Sequence, residues 1–205
     1  MHALILIDIQ NDFLPNGPLA VPEGDQVIAV ANQEMQRADY VVATQDWHPA
    51  NHGSFASQQQ DVEIGDQFQL DGLTQVAWPD HCIQGTRGAE LAADLNLDRI
   101  DHIVQKGTCP NIDSYSGFYD NGQRQATGLD DHLRSVGVRH ISVMGLATEY
   151  CVKFSVLDAL RLEYPTRVLL DGCRGINLFP NDIDDAIAAM RSAGAEIIEP
   201  YDFSI

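Results

Sequence analysis

Residues His140–Phe154 read HISVMGLATEYCVKF, and this stretch decides how the rest of the chain is to be read. His140–Gly145 is a short, strand-like apolar run. From Thr148 to Leu162 the apolar residues recur at helical spacing. Cys151 therefore falls where a strand hands over to a helix, a place where α/β enzymes mount nucleophiles. The same alternation continues outward in both directions. Strands are expected at Ala3–Ile9, Tyr40–Thr44, His102–Lys106, Arg167–Leu170 and Glu196–Glu199. Helices are expected over Asp25–Arg37, Gln125–Val136, Thr148–Leu162 and Asp182–Ala193, with Gly137, Gly172 and Gly194 as punctuation near element ends. About six strands interleaved with helices predict an α/β fold: a doubly wound, mainly parallel sheet with helices on both faces, in three layers.

Composition narrows the function classes. A chain of 205 residues with 44% hydrophobic content is expected to form one domain, residues 1–205, around one core. The net charge of −18 comes from 12 basic and 30 acidic residues with no clustered Lys or Arg, which argues against a nucleic-acid partner. The early apolar run Ala3–Ile7 is cut at once by Asp8, too short for a leader or a membrane span. A cytoplasmic protein without a membrane partner is the expectation. The four cysteines, 82, 109, 151 and 173, are widely spaced and form no CxxC, so free thiols are expected.

Two stretches, 45–90 and 107–123, break the rhythm and are rich in Gly, Pro, Asn, Asp and aromatics. Long irregular segments in compact domains are usually functional. Open α/β sheets bind ligands beyond the carboxyl ends of their strands. That rule brings Asp8, Gln45–His48, Lys106 and Leu146–Cys151 to one rim.

The residue types at that rim suggest chemistry. At the start of a helix, Cys151 would meet unpaired N–H groups and a partial positive charge, which favour thiolate and can hold an oxyanion. Asp8 closes the run ALILI and could take the thiol proton; Lys106 closes another apolar strand and could hold the charges in place. Taken singly, each has a plainer role: inert buried thiol, strand-end carboxylate, snorkelling lysine. A second constellation lies in QDWHPANHGSF, residues 45–55. Asp46 and His48, two apart, face the same way in extended backbone, and His81 of WPDHC could add a third ligand for a divalent metal. His52 or Ser54 could complete the shell. Phe13, Trp47, Trp78 and Tyr115 are ordinary packing residues one by one, and together could wall a slot for a flat ring.

Five ordered blocks carry a resemblance: LIDIQNDF, DWHPANHGSF, WPDHCIQGT, KGTCPNIDSYSGF and GLATEYCV. They resemble the signature blocks of the nicotinamidase branch of the isochorismatase-like cysteine hydrolases, over residues 3 to 173. The resemblance implies hydrolysis of nicotinamide to nicotinate and ammonia in NAD salvage, with pyrazinamide as a surrogate substrate. It implies a catalytic triad of Asp8, Lys106 and Cys151, and a metal set of Asp46, His48 and His81, with Ser54 or His52 as a fourth ligand. It further implies a ring pocket of Phe13, Trp78 and Tyr115, a cis bond at Leu146–Ala147 and an oxyanion hole from the Ala147 and Cys151 amides. One divalent metal is implied; zinc is expected, though iron or manganese suit the same ligands. Three other readings stay open. The chain could hydrolyse another small amide, cleave isochorismate (against which Cys151 and the metal blocks argue), or serve as a non-catalytic metal-binding or thiol-redox protein. Apolar helix faces also leave a homo-oligomer open.

Overall fold

The structure is a computed structural model that describes residues 1–199; residues 200–205 of the expected domain lie outside the described residues. Its centre is a six-stranded sheet of β1 (His2–Ile7), β2 (Tyr40–Asp46), β5 (His102–Lys106), β6 (His140–Leu146), β7 (Thr166–Arg174) and β8 (Glu196–Ile198). The strands run in the order β5–β2–β1–β6–β7–β8, and every neighbouring pair is parallel. In β1 and β2 consecutive residues are buried, not alternate ones, so both sheet faces are covered, as the continuous apolar runs predict. Helices α1 (Gln26–Glu34), α2 (Leu129–Ser135), α3 (Lys153–Arg161) and α4 (Asp182–Ser192) connect and cover the strands. Among the described residues no helix is long and apolar enough to cross a membrane. All four cysteines are free thiols.

The departures from expectation are local and have physical causes. The first turn of the helix expected at Thr148–Leu162 is a π-turn, Thr148–Val152, and α3 starts only at Lys153. Helix α2 starts at Leu129 instead of Gln125, because Ala126 bridges to Tyr119 and Gly128 takes φ +92° just before the helix. Strand β7 runs on to Arg174, and Gly172 lies inside it beside Met144, at an irregularity in the pairing with β6. The long segment 45–90 contains an antiparallel hairpin, β3 (Gln67–Leu70) and β4 (Leu73–Val76). Its turn is Asp71–Gly72, both at positive φ, the Asp-Gly signal of a two-residue hairpin loop.

Candidate active site

The sheet grows from β1 through β2 to β5 on one side, and from β6 through β7 to β8 on the other. The crevice beyond the ends of β1 and β6 is therefore the topological switch point, where doubly wound sheets bind ligands. Asp8 follows β1 directly at φ +49°, and Cys151 sits in the π-turn that follows β6. Gly145 lets these two strand ends meet. At φ +128°, a Cβ on residue 145 would lie 2.1 Å from the Ile7 carbonyl oxygen. The next bond, Leu146–Ala147, is cis.

Lys106, the last residue of β5, reaches into this crevice and is fully buried there. Its Nζ lies 2.8 Å from Asp8 Oδ2 and 2.6 Å from Asp46 Oδ1. It also donates to the Ser114 carbonyl at 2.9 Å and approaches Cys151 Sγ at 3.4 Å. Asp8 is buried as well; Thr44 Oγ1 donates to its Oδ1 at 2.5 Å. The Asp8 contact with Lys106 is an ion pair without hydrogen-bond alignment, so Oδ2 has no aligned donor among the described residues. Carboxylate oxygens of Asp8 and Asp46 and the Cys151 sulfur all lie within 4.8 Å of one another. The three residues read from three separate strand ends thus form one cluster.

Burial and charge act against each other at these four groups. Burial pushes the Cys151 thiol well above the ordinary cysteine range; Lys106 pulls the other way without prevailing, and Asp8 adds to the rise. Desolvation opposes the helix-start effect, and a thiol raised in this way calls for a base, the part read for Asp8. Burial also raises Asp8 above the ordinary carboxylate value, against the pull of Lys106. For Lys106 burial works against the charge, but Asp46 and then Asp8 reverse it and hold the ammonium well above the lysine range. Asp46, although buried, is held far below the carboxylate range, chiefly by Lys106 and then His48.

Beside this cluster Asp46, His48 and His81 converge, with ligand atoms within 4.8 Å of one another. Asp46 Oδ2 lies 3.6 Å from His48 Nε2 and 3.8 Å from His81 Nε2. The Nδ1 atoms of both rings are occupied elsewhere, His48 on the Gly107 carbonyl and His81 on the Pro79 carbonyl, each at 2.8 Å. Those bonds put the ring proton on Nδ1 and turn the Nε2 lone pairs toward Asp46, the orientation that metal-ligating histidines take. His48 Nε2 is buried and has no hydrogen-bond partner among the described residues. The donor set therefore fits a divalent cation. Burial and then His48 push His81 down to about 4, which keeps its imidazole neutral for ligation. His48 goes the other way: Asp46 outweighs burial and raises it. Neither candidate fourth ligand joins this group of three. His52 Nδ1 and Ser54 Oγ bond each other at 2.7 Å, and His52 instead groups with His48 and Asp113.

A cleft with about 330 Å³ of empty space, mouth included, opens onto both clusters. Phe13, Trp78, Tyr115, Ala147, Cys151, Asp46 and His81 all line it, so the expected ring-pocket residues meet the Cys151 sulfur and two of the metal-ligand candidates in one space. Trp47 is not among its lining residues. The β3–β4 hairpin matters here. Gln75 of β4 and Trp78 both donate to the Tyr115 hydroxyl, at 3.0 and 3.1 Å, and so fix that ring. Sequence reasoning missed Leu19, Asp113, Tyr150 and Ile176 in the lining. It also missed two supports. Gln10 clasps the Asp46 backbone with 2.8 Å bonds to both N–H and C=O. Asp12 accepts the Cys82 N–H at 2.7 Å and steadies the loop that carries His81. LIDIQNDF contains both residues, but nothing in that stretch says that its polar side chains hold other segments.

A buried thiol, carboxylate and lysine at the switch point of the β5–β2–β1–β6–β7–β8 sheet are the groups that α/β hydrolases with a cysteine nucleophile bring together. The Isochorismatase domain model matches residues 2–200, and the chain belongs to that family. Within it, the chain is 53% identical to the nicotinamidase of Escherichia coli over 200 residues, covering 96% of this chain and 93% of that one. The solved Acinetobacter baumanii nicotinamidase/pyrazinamidase superposes with a TM-score of 0.94 at 39% identity, covering 97% and 95% of the two chains. A Pyrococcus horikoshii pyrazinamidase solved in complex with zinc gives a TM-score of 0.78 at 37% identity, covering 97% and 99%.

Proposed function

We propose that the chain is a metal-dependent nicotinamidase that hydrolyses nicotinamide to nicotinate and ammonia through a thioester on Cys151. Pyrazinamide is a second substrate, and the reaction serves NAD salvage in the cytoplasm. Asp8, Lys106 and Cys151 are the catalytic group. Asp46, His48 and His81 hold one divalent cation, with zinc favoured by the zinc-bound relative. His52 or Ser54, which stand beside that group and not within it, would complete the shell through water or after a side-chain turn. The observation that carries this reading is the shared cleft: the sulfur, the Asp46–His81 donors and the aromatic walls Phe13, Trp78 and Tyr115 line one space.

The residues divide the work. When bound, the cation supplies a Lewis-acid anchor for the ring nitrogen of the substrate. The aromatic walls grip the ring, with the carboxamide toward Cys151. As the sulfur bonds to the amide carbon, the thiol proton passes to Asp8 and the carbonyl electron pair moves onto oxygen. The Ala147 and Cys151 amides hold that oxyanion, a contribution of about 3–4 kcal/mol per donor in comparable sites. Asp8 gives the proton to the amide nitrogen, the C–N bond breaks, and ammonia leaves a thioester. A water then loses its proton to Asp8 and attacks the same carbon. The C–S bond breaks, the sulfur recovers the proton, and nicotinate departs. Lys106 stays charged throughout and offsets the mutual repulsion of Asp8 and Asp46. The chain is also open to assembly as a homo-oligomer.

Ammonia release from nicotinamide, compared with a panel of small aliphatic and carbamoyl amides, tests the assignment. Nicotinamide and pyrazinamide are expected to lead the panel in kcat/KM. A stronger response to another amide would move the chain to a sibling activity. No turnover of any amide by metal-loaded protein would leave a non-catalytic metal or thiol-redox role.

A further inference from the structure

Glu149 is not part of the chemistry above, yet it is 98% buried two residues ahead of the nucleophile, within the same π-turn. No ion pair involves it among the described residues. Its Oε1 instead accepts two backbone N–H bonds from the loop after β7, from Ile176 at 2.8 Å and Asn177 at 2.6 Å. Its Oε2 is buried without a hydrogen-bond partner, pressed against Gly175, where a Cβ would lie 2.4 Å from it. Burying a carboxylate with one oxygen unsatisfied is costly, and bonds from N–H groups to a charged acceptor are about twice as strong as neutral ones. The loop Gly175–Asn177 therefore wraps one buried carboxylate, and the residue in its middle, Ile176, lines the cleft together with Cys151 and the aromatic walls.

We propose that Glu149 is a positioning residue for specificity: it clamps the loop after β7 so that Ile176 forms a fixed wall of the cleft and excludes ring-substituted amides. The selectivity part rests on the nicotinamidase reading; the clamp itself does not. Through this contact one π-turn carries the nucleophile and also locates an apolar wall of its pocket.

Two measurements separate the clamp from the activity. Amide hydrogen exchange at Ile176 and Asn177, read without substrate, should quicken by about tenfold or more in Glu149→Ala. It should stay near wild type in Glu149→Gln, whose carbonyl oxygen can still accept both bonds. In steady-state kinetics, Glu149→Ala should raise KM for nicotinamide with kcat within about threefold, and raise the relative kcat/KM for 5-methylnicotinamide. Ile176→Ala should shift the same ratio, and the double variant should add nothing further, as expected when two residues act through one contact. Failure of wild-type protein to release ammonia from nicotinamide would sink the nicotinamidase reading while exchange still tests the clamp. Unchanged exchange in a folded Glu149→Ala, or a loss confined to kcat, overturns the proposal. Should Glu149→Ala not fold, an unchanged substrate ratio in Ile176→Ala does so.

Discussion

Replacing Lys106 with Met removes the one cation among the described residues that touches both Asp8 and Asp46, while keeping a side chain of similar length. In wild type the ammonium stands 2.8 Å from one carboxylate and 2.6 Å from the other, with all three side chains buried. Breaking a buried pair by deleting one partner costs about 3–5 kcal/mol, because the remaining charge is left without compensation. Here two carboxylates remain, within 4.8 Å of each other, so the upper part of that range is expected at neutral pH. The pH dependence has a definite sign. Lys106 lowers both carboxyls, and the depressed Asp46 contributes stability above the ordinary carboxylate value that fades only as pH falls through its folded value. Wild type therefore keeps that contribution at both pH 7.5 and pH 5. In the variant both carboxyls titrate higher, so protonation near pH 5 relieves part of the penalty. Urea unfolding of chelator-treated protein reads this directly. At a slope of about 2 kcal/mol/M, the midpoint should fall by about 2–2.5 M at pH 7.5 and by less at pH 5. A loss below about 1 kcal/mol, or one equal at the two pH values, would refute the claim that Lys106 neutralises this buried pair.

Other expectations follow from the same geometry. Because burial raises Asp8 and the base must be ionised, the acid limb of kcat/KM should lie above the ordinary carboxylate value, with activity falling as pH drops through it; a limb at or below that value would exclude Asp8 as the base. His48→Ala removes the orphaned Nε2 and should lower bound metal, measured by elemental analysis after dialysis, and raise KM for nicotinamide by about tenfold or more. Full metal occupancy in that variant would remove His48 from the ligand set.

The fold was legible because a parallel sheet covered on both faces leaves apolar runs that need no alternation. ALILI and HISVMG could hardly be read otherwise, and each ends in a residue or turn whose chemistry is costly to bury. The site was legible in its strand-end members for the same reason. Asp8, Asp46 and Lys106 are charges at the ends of buried strands, and such charges must find one another. What stayed hidden depends on contacts between distant segments. The hairpin over 67–76 carries the Asp71–Gly72 signal, but its half-exposed, mixed strands do not stand out from the surrounding loop. Gln75, Tyr150 and Ile176 owe their place in the site to which loops fold over the crevice, and no local pattern encodes that. The helix-start position of Cys151 was visible in the sequence, while the burial that opposes its ionisation was not.

The Cys151 sulfur does chemistry that the metal donors and aromatic walls alone cannot do. Metal-loaded Cys151→Ala should bind nicotinamide within a few-fold of wild-type affinity by calorimetry, yet release ammonia at least about 10³-fold more slowly, the scale of losing a nucleophile while binding persists. Retention of most of the wild-type rate by that variant, with its metal in place, would contradict covalent catalysis at Cys151.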